Sequence, residues 1–337
     1  MPAMTRKILL VPDSRRSVGF GHISRLTTLA DALADFGLRP VILVRRDAPP
    51  MPTGRGRWTI RRGGDAVKMS LRLGIDTVVL DGYGLPVKLA PRLARLGLRI
   101  ACIDDMGLPR LPLDLIVNPN AHAHRGLYRN KNCRLGPRYA LLRQSVIATR
   151  EAFRVKAVPD KKPVIFVCMG GADPHGRTVG VVEALGHLST SHDFRATIIL
   201  GPAAPADLAA KVSDQARTMP MPMRLLQAPD NFVAELAAAT VAVVSGGVVL
   251  TESIFLGIPA IALVLADNQV DGVAAWKRAG AVTVGATEPL TLAEQLAALL
   301  DNSQARHDQS NRGQHLLDGK GARRIAQILA SGLRHGR

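Results

Sequence analysis

Apolar residues along this chain recur in two alternating periods. Short runs at Lys7–Val11, Val41–Val44, Thr77–Leu80, Ile100–Ile103 and Leu115–Val117 are almost continuous in Val, Ile and Leu. Runs of this kind predict strands buried on both faces. Between them, residues 23–36, 66–73 and 86–96 place apolar side chains at helical spacing. Tyr139–Arg143 reads as a last short strand. Strands separated by helices predict a parallel, doubly wound sheet.

A second cycle begins after Glu151–Lys162, a charged stretch interrupted by Pro159 and read as a linker. Strands are predicted at Pro163–Met169, Ala196–Leu200, Arg224–Leu226, Val241–Val244 and Ala260–Val264. Helices are predicted at about Thr178–Leu188, Asp207–Ala216, Asn231–Ala239 and Val249–Leu256. The expected architecture is α/β, with two Rossmann-like domains at 1–150 and 163–320. A helix from Gly321 to Leu333, within the tail 321–337, is expected to cross back onto the first domain.

Composition narrows the class. The chain has 337 residues, 47% of them hydrophobic, enough for two packed cores. Its three cysteines, Cys102, Cys133 and Cys168, are scattered without metal-ligand spacing. No metal, cofactor or disulfide framework is expected, and a reducing cytoplasm is. Cys102 and Cys168 read as buried strand residues. The apolar run before Pro12 is too short for a signal peptide. Thr240–Ala266 is largely apolar, but Glu252 and Pro259 argue against a membrane span and for strand, turn, helix and strand.

Charge is lopsided. Residues 1–160 carry 28 Lys and Arg against 12 Asp and Glu, whereas residues 161–337 carry 16 against 15. A basic half suits an anionic partner, such as a nucleotide-sugar phosphate or an anionic membrane surface. Aromatics make up only 4% and form no interleaved platform with the basic residues, so nucleic acid is not expected as a partner. The chain is expected to be a monomer.

Candidate chemistry clusters where strands give way to helices, the end at which ligands bind in doubly wound sheets. Gly19-Phe20-Gly21-His22-Ile23-Ser24-Arg25 follows the first strand. It places a proton-exchanging imidazole and a guanidinium at a helix start, where unpaired amides and the helix dipole favour anions. Asp81-Gly82-Tyr83-Gly84, Asp104-Asp105 and Asn118-Pro119-Asn120 end later strands. Asp13 or Asp81 is expected to orient the His22 ring. His122 and His124, in the loop that follows, are expected to face solvent.

In the second half, Gly170-Gly171 and Gly246-Gly247 are expected to lead directly into helices, so that two helix ends hold a diphosphate without metal. Neither matches the spacing of a dinucleotide fingerprint. Asp173 belongs to the first of these turns. Glu252 sits in an apolar helix, and a carboxylate is seldom buried without a task. It is placed to accept from ribose hydroxyls.

Taken in order, seven pieces resemble the UDP-sugar hydrolases of pseudaminic acid biosynthesis. They are Val18–Arg25, Asp81–Gly84, Asp104-Asp105, Asp114–Ala121, Gly136–Arg143, Cys168–Asp173 and Asn268-Gln269. The resemblance implies a GT-B fold, two Rossmann-like domains facing across a cleft. It further implies inverting, metal-independent release of UDP from a UDP-2,4-diacetamido-2,4,6-trideoxyhexose. His22 would orient or deprotonate the attacking water, and Tyr83 would support it. Gly21, Arg25, Asn118, Asn120 and Arg143 would line the sugar side. Glu252 would hold the ribose, the glycine turns the diphosphate, and Asn268 and Gln269 would lie near the cleft. Two other readings stay open at this point: a glycosyltransferase with a hydroxyl acceptor, and a binding protein without catalysis.

Overall fold

A computed structural model describes residues 6–15, 20–51, 56–153 and 162–332. The chain forms two compact units. The first is built from residues 22–143, the strand before them and the stretch from Gly319 onward; the second takes Gln144–Asp318 together with Phe20 and Gly21.

In the first unit the elements run β1 (Lys7–Pro12), α1 (Gly21–Asp35), β2 (Arg39–Val44), β3 (Thr59–Arg62), α2 (Ala66–Leu73), β4 (Thr77–Asp81), α3 (Leu85–Ala94), β5 (Arg99–Ile103), β6 (Leu115–Asn118) and β7 (Cys133–Leu135). All seven strands are parallel, in the order β3-β2-β1-β4-β5-β6-β7. Strand alternation sorts the apolar runs between two faces. Ile8, Leu10, Ile42, Val79 and Ile103 face α1, whereas Leu9, Val41, Leu80, Ile100 and Cys102 face α2 and α3. Both faces are therefore covered, which is why these strands lack polar alternation.

The second unit contains α4 (Gln144–Phe153), β8 (Val164–Cys168), α5 (Arg177–Leu188), β9 (Arg195–Leu200), α6 (Ala206–Thr218), β10 (Met223–Gln227), α7 (Phe232–Ala237), β11 (Val241–Ser245), α8 (Val248–Leu256), β12 (Ala260–Leu263), α9 (Asp267–Arg278), β13 (Thr283–Val284), α10 (Pro289–Asp301) and α11 (Ser303–Leu316). Its six strands are also parallel, in the order β10-β9-β8-β11-β12-β13. The last helix, α12 (Gly321–Ala330), buries Ala322, Ile325, Ala326 and Leu329 in the same cluster as Ile8 and Leu26, so it belongs to the first unit. Gly321 makes that docking sterically possible, because a Cβ there would stand 2.2 Å from the Ala140 carbonyl oxygen.

Some expectations need correction. Tyr139–Arg143 is not a strand: Pro137–Tyr139 is a 3-10 turn whose local bonds, Tyr139 N–H to Gly136 and Ala140 N–H to Pro137, use the amides a strand would need. Strands β3 and β7, short and poor in continuous apolar residues, carried no periodic signal. Residues 151–153, expected to begin a linker, are the last turn of α4. Residues 154–161 and Leu333 lie outside the described residues, as do Val18 and Gly19 of the first glycine motif. The apolar stretch around Glu252 is β11, α8 and β12, and among the described residues no helix is long and apolar enough to cross a membrane.

Candidate active site

In each sheet the strand order reverses at one point, between β1 and β4 in the first unit and between β8 and β11 in the second. Crevices at such switch points, beyond the carboxyl ends of the strands, are where doubly wound sheets bind ligands. In the first unit, α1 leaves β1 carrying His22 and Arg25 one turn apart. Asp81 is the last residue of β4, in register with Pro12 at the end of β1.

These side chains belong to one network, in which His22, Asp81 and Asp105 are buried and Arg25, Tyr83 and Asn120 half-buried. His22 Nδ1 lies 2.7 Å from Asp81 Oδ1. Arg25 donates from Nε to Asp81 Oδ2 at 3.0 Å and from Nη2 to Asp81 Oδ1 at 2.7 Å. Its outer edge donates to Asp105, from Nη1 at 2.5 Å and from Nη2 at 3.0 Å. Asn120 Nδ2 donates to Asp105 Oδ1 at 2.8 Å and the Tyr83 hydroxyl to Asp105 Oδ2 at 3.3 Å. The Tyr83 ring also meets the His22 imidazole edge to face, with centroids 4.9 Å apart.

Electrostatics hold Asp105 and Arg25 ionised. Burial by itself would raise the Asp105 pKa, but the Arg25 guanidinium overrides it and keeps the carboxyl well below the ordinary aspartate range. Burial likewise opposes charge on Arg25, and Asp105 and Asp81 outweigh it, raising its pKa further. Burial, then the nearby Asp105 carboxylate, push the Tyr83 hydroxyl up, so it remains a donor at neutral pH.

Arg25 Nη2 is also 2.8 Å from His22 Nδ1. Two hydrogens are available on Nη2, and two carboxylate oxygens take them. Nδ1 therefore serves as donor to Asp81, and Nε2 keeps the lone pair. This is the arrangement of a histidine base held by a buried carboxylate.

The predicted residues do not all serve alike. Asp81, not Asp13, orients the ring. Asp13 receives Arg15, and the guanidinium, outweighing the effect of burial, lowers its pKa. Asn118 is fully buried and makes internal bonds: its Oδ1 accepts from the Asn120 amide, and its Nδ2 donates to the Tyr128 hydroxyl. Arg143 lies half-buried just before α4. His122 does not simply face solvent; its Nε2 donates to the Asp105 carbonyl at 2.8 Å. Asp105 is a central member that sequence reasoning left out of the site, although its place at a strand end was visible. Tyr128 was missed too, since nothing local marks it. Among the described residues no group of three or more His, Cys, Asp or Glu is disposed to hold a metal ion.

In the second unit, Gly246-Gly247 leads straight into α8, as expected. Gly246 is packed tightly, and a Cβ there would stand 2.5 Å from Val273 Cγ2; at Gly247 a Cβ would meet nothing within 4 Å. The first turn of α8 carries no side-chain cap from Gly247. Gly170-Gly171 does not lead directly into a helix. Pro174 and the left-handed Gly176 delay α5 to Arg177, and Asp173 caps it, accepting from the Arg177 and Thr178 amides. The Asp173 carboxylate is thus taken up by its own helix, and of the two expected anion-binding helix ends only that of α8 is left open by its turn.

Gly201, at the end of β9, was not anticipated: a Cβ there would stand 2.4 Å from the Gly170 and Gly171 carbonyl oxygens. Glu252 is fully buried in α8. Gln269 Oε1 accepts from the Leu265 amide at 2.9 Å, and Asn268 is half-buried beside it in α9.

Comparison with solved structures gives the architecture its name. MurG of Acinetobacter baumannii superposes with a TM-score of 0.71 at 13% identity, over 97% of this chain and 99% of that one. A UDP-GlcNAc 2-epimerase from Neisseria meningitidis, solved bound to UDP-GlcNAc, gives 0.71 at 12% identity, over 97% and 100%. The fold is GT-B.

No family model matches the chain. Among curated proteins, it is similar to the UDP-2,4-diacetamido-2,4,6-trideoxy-beta-L-altropyranose hydrolase of Campylobacter jejuni, at 28% identity over 188 residues, 53% of this chain and 65% of that protein. It is similar also to the spore coat polysaccharide biosynthesis protein SpsG of Bacillus subtilis, at 25% over 264 residues, 76% of each. An uncharacterised protein of Methanocaldococcus jannaschii matches at 23% over 269 residues, 76% of this chain and 55% of that protein's length.

Proposed function

We propose that this chain is a nucleotide-sugar hydrolase that releases UDP from a UDP-2,4-diacetamido-2,4,6-trideoxyhexose. The observation that carries the reading is the His22–Asp81 pair at 2.7 Å, locked by Arg25 at the switch point of the first sheet. Similarity to the Campylobacter hydrolase supports the choice of substrate class.

In the proposed reaction, His22 Nε2 accepts a proton from water as the water oxygen bonds to the anomeric carbon. The carbon–oxygen bond to UDP breaks, and its electron pair leaves on the phosphate oxygen. Attack from the face opposite the leaving group inverts the anomeric centre. Asp81 stabilises the imidazolium through Nδ1–H, and Tyr83 braces the ring. UDP is already a good leaving group, and the first turn of α8 is assigned to its diphosphate. Glu252 is assigned to the ribose hydroxyls.

A transferase is the alternative reading, since the spinosyn rhamnosyltransferase SpnG has this fold too, at 14% identity. One experiment separates the two. The amino-sugar nucleotide is incubated with the chain in EDTA, without acceptor, and UDP is measured with the anomeric configuration of the sugar. Release of UDP with inversion supports the hydrolase; release only when a hydroxyl acceptor is added overturns it in favour of transfer.

A further inference from the structure

Among the described residues Asp105 shares no hydrogen bond with His22, yet it governs the atom beside the His22 ring. The Arg25 guanidinium is gripped along two edges. Asp81 takes Nε and Nη2, and Asp105 takes Nη1 and Nη2. Paired bonds of this kind fix the plane of the guanidinium, which single contacts do not. Its Nη2 stands 2.8 Å from His22 Nδ1, close enough to donate if the plane turned. Such a donation would make Nδ1 an acceptor, send the ring proton to Nε2 and remove the lone pair that a base requires.

We propose that Asp105 is a positioning residue that sets the tautomer of His22: by holding the outer edge of Arg25, it keeps guanidinium hydrogens off Nδ1. Its own placement is enforced. The Asn120 amide donates to Oδ1 and the Tyr83 hydroxyl to Oδ2, and Asn120 is itself anchored on Asn118. The two partners stay charged over the whole neutral range, because Arg25 holds Asp105 ionised against its burial and the carboxylates do the same for Arg25. The chemical consequence rests on the reading of His22 as a base; the tautomer itself does not.

The test is long-range proton–nitrogen NMR on the full chain labelled with 15N-histidine, recorded over a pH series so that the neutral ring is read. His22→Gln identifies the His22 signal. The wild type is expected to carry its proton on Nδ1. Asp105→Asn is expected to move a measurable share of it to Nε2, and to lower kcat by about 10- to 100-fold, part of the roughly 10⁴-fold that a wholly wrong tautomer costs a histidine base, with KM changed less than twofold. Asn120→Ala, which removes one support of Asp105, is expected to give a smaller shift in the same direction. A wild type with the proton on Nε2 overturns the proposal even if no variant folds. So does a folded Asp105→Asn chain with the wild-type tautomer. A chain that shows the tautomer switch but hydrolyses nothing supports the positioning role and overturns only the hydrolase reading.

Discussion

Gly82 and Asp13 approach so closely that a Cβ on Gly82 would stand 2.3 Å from the Asp13 Cβ. Gly82 also has φ +152, a conformation that side chains disfavour. The missing side chain lets the Asp13 amide donate to the Asp81 carbonyl at 2.6 Å, one step past the end of the β1–β4 ladder. The strand that delivers His22 and the strand that delivers Asp81 are thereby kept side by side at their ends. Gly82→Ala is expected to cost about 1–3 kcal/mol, the usual range for overpacking. Thermal unfolding would show it as a lowered Tm, with UDP release falling in parallel. An unchanged Tm would mean that Asp13 yields freely.

His22→Gln keeps a polar side chain of similar reach but no base. UDP release is expected to fall about 10²- to 10⁴-fold, the contribution of a positioned general base. UDP binding, measured by calorimetry, is expected to stay within twofold. Asp81→Asn should fall in the same range, because the amide can turn a hydrogen towards Nδ1 and favour the other tautomer, and it carries no charge to balance the imidazolium.

Acid stability follows from the pKa directions. Asp105 and Asp13 both have folded values below the ordinary aspartate value of 3.8. Their contribution is present above that value and is lost as the pH falls through it towards the depressed folded values. Asp104 runs the other way: burial raises its pKa, although the Tyr128 hydroxyl and the Gly107 amide both donate to it. Its contribution is present below 3.8 and is lost as the pH rises through the elevated folded value. Asp104→Asn retains an oxygen for both donors and removes the charge. Chemical denaturation at pH 7 should find it at least as stable as the wild type, with the advantage shrinking in acid. A destabilised Asp104→Asn chain at pH 7 would show that the ionised form is needed.

Glu252 is assigned to the ribose, and a modified ligand tests that assignment. Glu252→Gln is expected to weaken UDP about tenfold, or roughly 1.4 kcal/mol. It should weaken 2′-deoxy-UDP clearly less, since one of the two hydroxyls is then already missing. Equal losses for both ligands would remove Glu252 from the ribose.

The two glycines before α8 separate packing from ligand contact. Gly246→Ala should lower the Tm, because the Cβ would collide with Val273 and Gln269. Gly247→Ala has open space and φ −112, so the Tm should not move. If the diphosphate lies against that turn, Gly247→Ala will nevertheless weaken UDP binding. An unchanged affinity would place the phosphates elsewhere.

Much of this protein was legible in its sequence. Buried parallel strands need apolar residues on both sides, and those runs stand out without any structure. Their carboxyl ends were therefore known, and with them the neighbourhood of His22, Asp81, Asp105 and the turn at Gly246-Gly247. Glu252 was also correctly read as buried, because the apolar residues around it leave the helix no polar stripe to turn towards water. The weak elements were hidden for the same reason that the strong ones were visible. Edge strands such as β3 and β7 bury little, so little in their composition marks them.

Tertiary structure alone decided the pairings. Asp104 and Asp105 are adjacent in the chain, yet one meets Tyr128 and the other Arg25. Asp13 and Asp81 were equal candidates for His22 until the β1–β4 register put Asp81 within 2.7 Å of the ring and left Asp13 to Arg15. Asp173 resembled a phosphate-site residue but caps α5, because the chain turns at Pro174 and Gly176 before the helix can start. Periodicity reports how much of a residue is buried, an average over its surroundings. A hydrogen bond depends on a separation of tenths of an ångström between residues up to 80 positions apart, and only the packed chain fixes that distance.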